Sequence, residues 1–112
     1  MAIRRGSTPT ITLTISGVDL TDATTYFTIR QGTETLTKTT GEDPSIWIEV
    51  YEDGSDVCVV LSQEDTLKFA EGVSEVQIRW IDADGTAHVS GVTRMTFDKV
   101  LLEGVIEHED GQ

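Results

Sequence analysis

From Thr10 to Ser16 hydroxylated and apolar side chains alternate without a break, as Thr-Ile-Thr-Leu-Thr-Ile-Ser. Only an extended chain converts that order into one dry face, carrying Ile11, Leu13 and Ile15, and one wet face; a helix would scatter the same residues around its circumference. Thirteen of the seventeen threonines lie in residues 1–41, and β-branched side chains favour a pleated, half-buried surface. The first third of the chain is therefore committed to sheet.

Period-two runs continue after the turn signal Ser16-Gly17-Val18-Asp19. Residues 24–31 set Thr25, Phe27 and Ile29 against Tyr26, Thr28 and Arg30, and Gln31-Gly32-Thr33 reads as a tight turn. Residues 34–39 form a strand whose only large apolar residue is Leu36, as expected of a sheet edge. Beyond the breaker Gly41-Glu42-Asp43-Pro44, residues 45–51 place Ile46, Ile48 and Val50 on one face and Trp47, Glu49 and Tyr51 on the other. The turn Glu52-Asp53-Gly54-Ser55 folds residues 56–61 back as a hairpin. The period then changes: Ser62-Gln63-Glu64-Asp65 combines a capping hydroxyl with acids at a helix N-terminus, predicting about two turns of helix before Gly72.

Residues 75–82 return to alternation with Val76, Ile78 and Trp80 inward, and Asp82-Ala83-Asp84-Gly85 predicts a hairpin loop. A long strand over 86–97 follows, bent at Gly91, and the apolar stretches of 100–106 are expected to close the core. Many short strands, regular turns and one helical crossover predict a mainly β chain: a single antiparallel, immunoglobulin-like β-sandwich. A partly open barrel would meet the same pattern. The expected division is an arm over 1–9, the sandwich over 10–106 and a flexible acidic tail over 107–112.

At 112 residues the chain can bury a core without a metal or disulfide staple. Net charge is −12, unevenly spread: residues 1–41 hold four basic and three acidic side chains, and residues 42–112 hold four basic and seventeen acidic. Such a field repels nucleic acid and anionic membranes, so neither is an expected partner. The start carries Arg4 and Arg5 but leads into Ser7-Thr8-Pro9-Thr10 rather than an apolar stretch, which argues against a secretory signal, and no segment reaches the roughly 20 apolar residues of a membrane helix. Folding in a cytoplasm is the expectation.

Catalytic and metal-binding patterns are missing. There is no Gly-x-Ser-x-Gly elbow and no glycine-rich phosphate loop. Asp82-x-Asp84-Gly85 begins like a calcium loop, but the bidentate acid that should close it is replaced by Thr93; Glu52, Asp53 and Asp56 read as a solvated acidic turn. His88 and His108 lack ligand spacing and are expected to be exposed, and the lone Cys58, inside an apolar run, is expected to be packed and inert. No catalytic residue, cofactor or metal is assigned. Two features suit partner binding instead. Trp47 and Tyr51 share the polar face of their strand, where aromatic side chains bury much area at small entropic cost. Arg4 and Arg5 sit in an arm able to dock on an acidic neighbour.

Four segments carry a resemblance across nearly the whole chain: Arg4-Arg5-Gly6-Ser7-Thr8-Pro9-Thr10; Leu61-Ser62-Gln63-Glu64-Asp65-Thr66-Leu67-Lys68-Phe69; Val76-Gln77-Ile78-Arg79-Trp80 with Asp84-Gly85-Thr86; and Val100-Leu101-Leu102-Glu103-Gly104-Val105-Ile106. They resemble small proteins encoded among bacteriophage and prophage structural genes. Asp19-Leu20-Thr21-Asp22-Ala23-Thr24 leading into Phe27-Thr28-Ile29 is more loosely similar to the immunoglobulin-like N-terminal domain of phage upper baseplate proteins. The resemblance implies a non-enzymatic virion component of the tail, baseplate or head–tail region. It would form a homo-oligomer, contact other phage structural proteins, and reside in the virion after assembly in the host cytoplasm. It implies no catalytic residues, and the long receptor-binding region of full baseplate proteins has no counterpart in these residues. Competing expectations are an acidic inhibitor that imitates nucleic acid toward a host nuclease or defence protein, and a carbohydrate-binding sandwich using Trp47 and Tyr51.

Overall fold

Each alternating run is extended in the computed structural model of the protein, which describes residues 2–107. Strands β2 (Thr10–Ser16), β5 (Ile46–Tyr51) and β6 (Gly54–Val60) form a three-stranded sheet in the order β2-β6-β5. A six-stranded sheet contains β1 (Ala2–Arg4), β3 (Thr24–Gln31), β4 (Glu34–Thr39), β7 (Gly72–Ile81), β8 (Ala87–Val89) and β9 (Thr93–Asp98), in the order β1-β9-β7-β3-β4 with β8 also on β7. The two sheets make a β-sandwich, the mainly β, immunoglobulin-like architecture that the alternation predicts.

The core lies where the dry faces meet. Phe27, Ile29, Val76, Ile78, Met95 and Phe97 come from the larger sheet, and Ile11, Ile46, Val57 and Val59 from the smaller, all buried. Burying each such side chain contributes about 1.5–3 kcal/mol, so the pairing of the two faces is the main source of stability. Phe69, just after the helix, stacks on Phe97 with ring centroids 5.0 Å apart and seals one end. Leu20 enters through a polar tether: Ser55 Oγ accepts from the Leu20 amide at 3.1 Å and donates to the Val18 carbonyl at 2.6 Å. At the β5–β6 turn, a Cβ on Gly54 would stand 2.8 Å from the Ile15 carbonyl oxygen, so only glycine lets this turn approach β2 so closely.

Helix α1 (Gln63–Leu67) is five residues long, shorter than the two turns expected. Its capping box is complete, since Ser62 Oγ accepts from the Asp65 amide at 3.1 Å and the Asp65 carboxylate accepts from the Ser62 amide at 2.9 Å. Asp65 has a second duty. Its carboxylate lies 3.1 Å from Lys38 Nζ, which projects inward from the edge strand β4 beside Leu36. Lys38 also donates to Ser45 Oγ at 2.9 Å and reaches Asp43 at 3.4 Å, so the buried ammonium ties β4, the 43–45 turn and the helix start together.

Four expectations need correction. Residues 2–4 of the predicted arm are a strand, β1, paired in parallel with β9, so the sandwich includes them and is not wholly antiparallel. The long strand over 86–97 is two strands on the same side of β7: Arg79 pairs with Val89 but Val76 with Thr93, one residue out of step, so the bend near Gly91 is a bulge. That extra residue lets His88 face the same side as Met95 and Phe97 although their positions differ in parity. His88 is accordingly half-buried rather than freely exposed; it stacks on Trp80 with centroids 5.2 Å apart, and its Nε2 lies 2.8 Å from Asp82. The apolar stretches of 100–106 do not close the core. They run as an irregular segment with Leu101 90% exposed, held by Arg5–Glu103 and by Gln63 bonds to the backbone of Ile106. Of the predicted tail, residues 108–112 lie outside the described residues.

Candidate functional site

In the smaller sheet the pleat sends Ile46 and Ile48 inward and Trp47, Glu49 and Tyr51 outward, while Val50, of the inward parity, stays 41% exposed at the strand end; the register with β6 decides what stands beside them. Trp47 lies opposite Cys58 and Glu49 opposite Asp56, with Thr12 and Thr14 of β2 beyond them. Trp47 is 39% and Tyr51 52% exposed.

Hydrogen bonds hold this outer face in one arrangement. Tyr51 donates to Asp56 Oδ2 at 2.8 Å, and Thr14 donates to Asp56 Oδ1 at 2.7 Å. The carboxylate acceptor raises the Tyr51 phenol above its ordinary pKa of 10.0, so the bond persists at neutral pH. Glu49 Oε2 accepts from Cys58 Sγ at 3.1 Å and from the Trp47 indole at 3.4 Å. Burial first, and Glu49 second, push the Cys58 thiol up to about 11; it is a packed thiol without nucleophilic character near neutral pH. All these donors are neutral. Among the described residues neither Glu49 nor Asp56 has a cationic partner, so both negative charges remain on the face beside the aromatics.

The two arginines of the N-terminal segment part company. Arg5 turns into the molecule: its guanidinium donates to the Phe69 carbonyl at 2.6 Å and the Leu67 carbonyl at 3.2 Å, and pairs with Glu103 at 2.8 Å. It braces the chain end against the helix. Arg4, on β1, points outward from the larger sheet. The same face receives Arg30 from β3, Arg79 from β7 and Arg94 from β9, a convergence across four strands that no local sequence window contains. Above β3 and β7 it is hollowed into an open depression of about 410 Å³, bordered by Tyr26, Thr28, Thr37, Arg79, Ile81 and Ala87.

Among the described residues, no group of three or more His, Cys, Asp or Glu side chains is placed to hold a metal ion. Asp84 instead accepts from the Thr86 amide at 2.9 Å, which shapes the β7–β8 loop and lowers its carboxyl below 3.8. No helix is long and apolar enough to cross a membrane. The arrangement suits binding by large rigid surfaces: an acidic, aromatic face on one side and an arginine-bearing face on the other.

No protein-family model matches the chain, and no curated protein matches it. Among solved structures it is similar to murine CRIg, at 9% identity and a TM-score of 0.40, over 89% of this chain and 91% of that one.

Proposed function

We propose that the protein is a non-enzymatic structural or accessory component of a bacteriophage or prophage particle, built into the tail, baseplate or head–tail region through contacts with other particle proteins. The single observation that supports it most is the exposure of Trp47 and Tyr51 on a hydrogen-bonded sheet face. Aromatic side chains held in one conformation lose little entropy on docking and supply the anchors around which interfaces form. The segments beginning at Arg4, Leu61, Val76 and Val100, similar to phage structural proteins, point to a particle as the place where such docking occurs. Mass spectrometry of gradient-purified particles from a strain carrying the gene tests the reading. The chain is expected in constant ratio to the major tail or head protein; particles that assemble and infect without it would overturn the proposal.

A further inference from the structure

We infer that the protein associates head to tail with a second copy of itself, the arginine-bearing outer face of the larger sheet in one copy receiving the Trp47 and Tyr51 face of the next. This deepens the reading of the protein as an assembly component by naming one partner, and it rests on that reading only for its biological setting.

The inference comes from how charge is sorted between the two faces. The chain is strongly acidic, yet the outward positions of the larger sheet carry Arg4, Arg30, Arg79 and Arg94 against only Glu75 and Asp98. Of these arginines only Arg30 has an ion pair among the described residues, with Glu75 at 3.3 Å. The three strands of the smaller sheet contain no basic residue, and their only charges are Glu49 and Asp56, both outward, with Glu52 and Asp53 in the adjoining turn. One molecule thus bears a face with excess positive charge and, on the opposite side of the sandwich, a face that is purely negative. Two like faces would repel, whereas unlike faces steer toward each other and fix their orientation.

Shape and apolar content agree with charge. The depression beside Arg79, bordered by Tyr26 and Ile81, has room for an indole or phenol ring, and an arginine at its rim can lie against an aromatic face. The donor face offers Trp47 and Tyr51 with the carboxylates of Glu49 on the same strand and Asp56 on the next. Because the two faces differ, the contact is heterologous and repeats from copy to copy, giving a ring or a stack rather than a two-fold dimer. The three-stranded face is the smaller partner, roughly 24 Å long and 14 Å wide along the backbone. The contact therefore falls at the low end of interface sizes, with affinity in the micromolar range that repetition in an assembly would reinforce.

Sedimentation velocity on the full chain, up to hundreds of micromolar protein and at low salt, reads the association. Two variants keep all backbone pairing: Arg79→Gln with Arg94→Gln on the receiving face, and Glu49→Gln with Asp56→Asn on the donor face, both checked for native circular dichroism and melting. Wild type is expected to form a concentration-dependent series of oligomers, with an apparent dissociation constant that rises about tenfold or more as salt increases through screening. Each variant alone is expected to stay monomeric. Their equimolar mixture is expected to give a 1:1 complex that grows no further, since each retains one intact face. A wild type that stays monomeric, oligomers that survive both pairs of substitutions, or association lost in only one variant would each overturn the inference. None of these outcomes affects whether the chain is found in purified particles, so failure of self-association and failure of the particle assignment are distinguishable.

Discussion

Replacing Lys38 by methionine removes one charge from the point where β4, the 43–45 turn and the helix start meet. The Lys38 side chain is 9% exposed and its ammonium has three partners, Ser45 at 2.9 Å, Asp65 at 3.1 Å and Asp43 at 3.4 Å. Breaking a buried ion pair by deleting one member costs about 3–5 kcal/mol, because the other charge is left without compensation. Here the full figure does not apply. The Asp43 side chain is 36% exposed and keeps its water, so its share is about 0–1 kcal/mol. Asp65 is 17% exposed and retains the bond from the Ser62 amide. Methionine preserves the apolar stem that packs beside Leu36. The expected loss is therefore about 2–3 kcal/mol, between the exposed and buried limits. Urea unfolding followed by tryptophan fluorescence should show it as a midpoint lower by about 1–2 M at an unchanged slope, for a slope of about 1.5 kcal/mol per M. A change under about 0.5 kcal/mol would place Lys38 among ordinary surface residues and refute the tie between sheet and helix.

Three further outcomes follow from single sites. Thr25→Val should be neutral or stabilise by up to about 1 kcal/mol in thermal melts, since the fully buried Thr25 hydroxyl has no hydrogen-bond partner among the described residues and valine keeps the shape; a loss above 1 kcal/mol would mean the hydroxyl is satisfied in solution. Gly54→Ala should cost about 1–3 kcal/mol, because its Cβ would press on the Ile15 carbonyl and the Ser16 Cα, both backbone; an unchanged melting temperature would contradict the close approach. Hydrogen bonds from Ser45 hold the Asp43 carboxyl below its ordinary 3.8, so it contributes stability above that pH and loses it as pH falls through the lower folded value. Asp43→Asn should therefore be less stable than wild type at neutral pH, with the gap closing below about pH 4; a gap that widens in acid would reverse the sign and refute the assignment.

Much of this fold is legible in the residue order, because alternation is a local property. Thr10 to Ser16, Phe27 with Ile29, and Val76 with Ile78 each declare a strand and its buried face without reference to the rest of the chain. Trp47 and Tyr51 are legible for the same reason. What local order does not contain is register and sheet order. The bulge near Gly91 is set by pairing against β7, and without it His88 cannot be placed on the inner side. Residues 2–4 are too few to alternate, so the parallel pairing on β9 leaves no trace in their sequence. Lys38 was visible in principle, since its parity matches Leu36, but an inward lysine makes sense only once the helix carrying Asp65 lies beside it. The apolar run near Leu101 shows the converse: hydrophobicity alone does not bury a segment, and Leu101 and Leu102 stay exposed.

The candidate face divides in the same way. Its aromatics come from one strand, but Asp56 and Cys58 reach them from the next, and the opposing arginines gather from four strands. Charge summed along the chain describes an acidic protein; charge sorted by face describes a polar slab.

Co-sedimentation of the protein with assembled particles, compared between wild type and Trp47→Ser with Tyr51→Ser, probes the proposed role at its root. We expect wild type to travel with the particles while the variant folds normally and stays in the soluble fraction. Incorporation of both to the same extent, or of neither, would contradict assembly through this face.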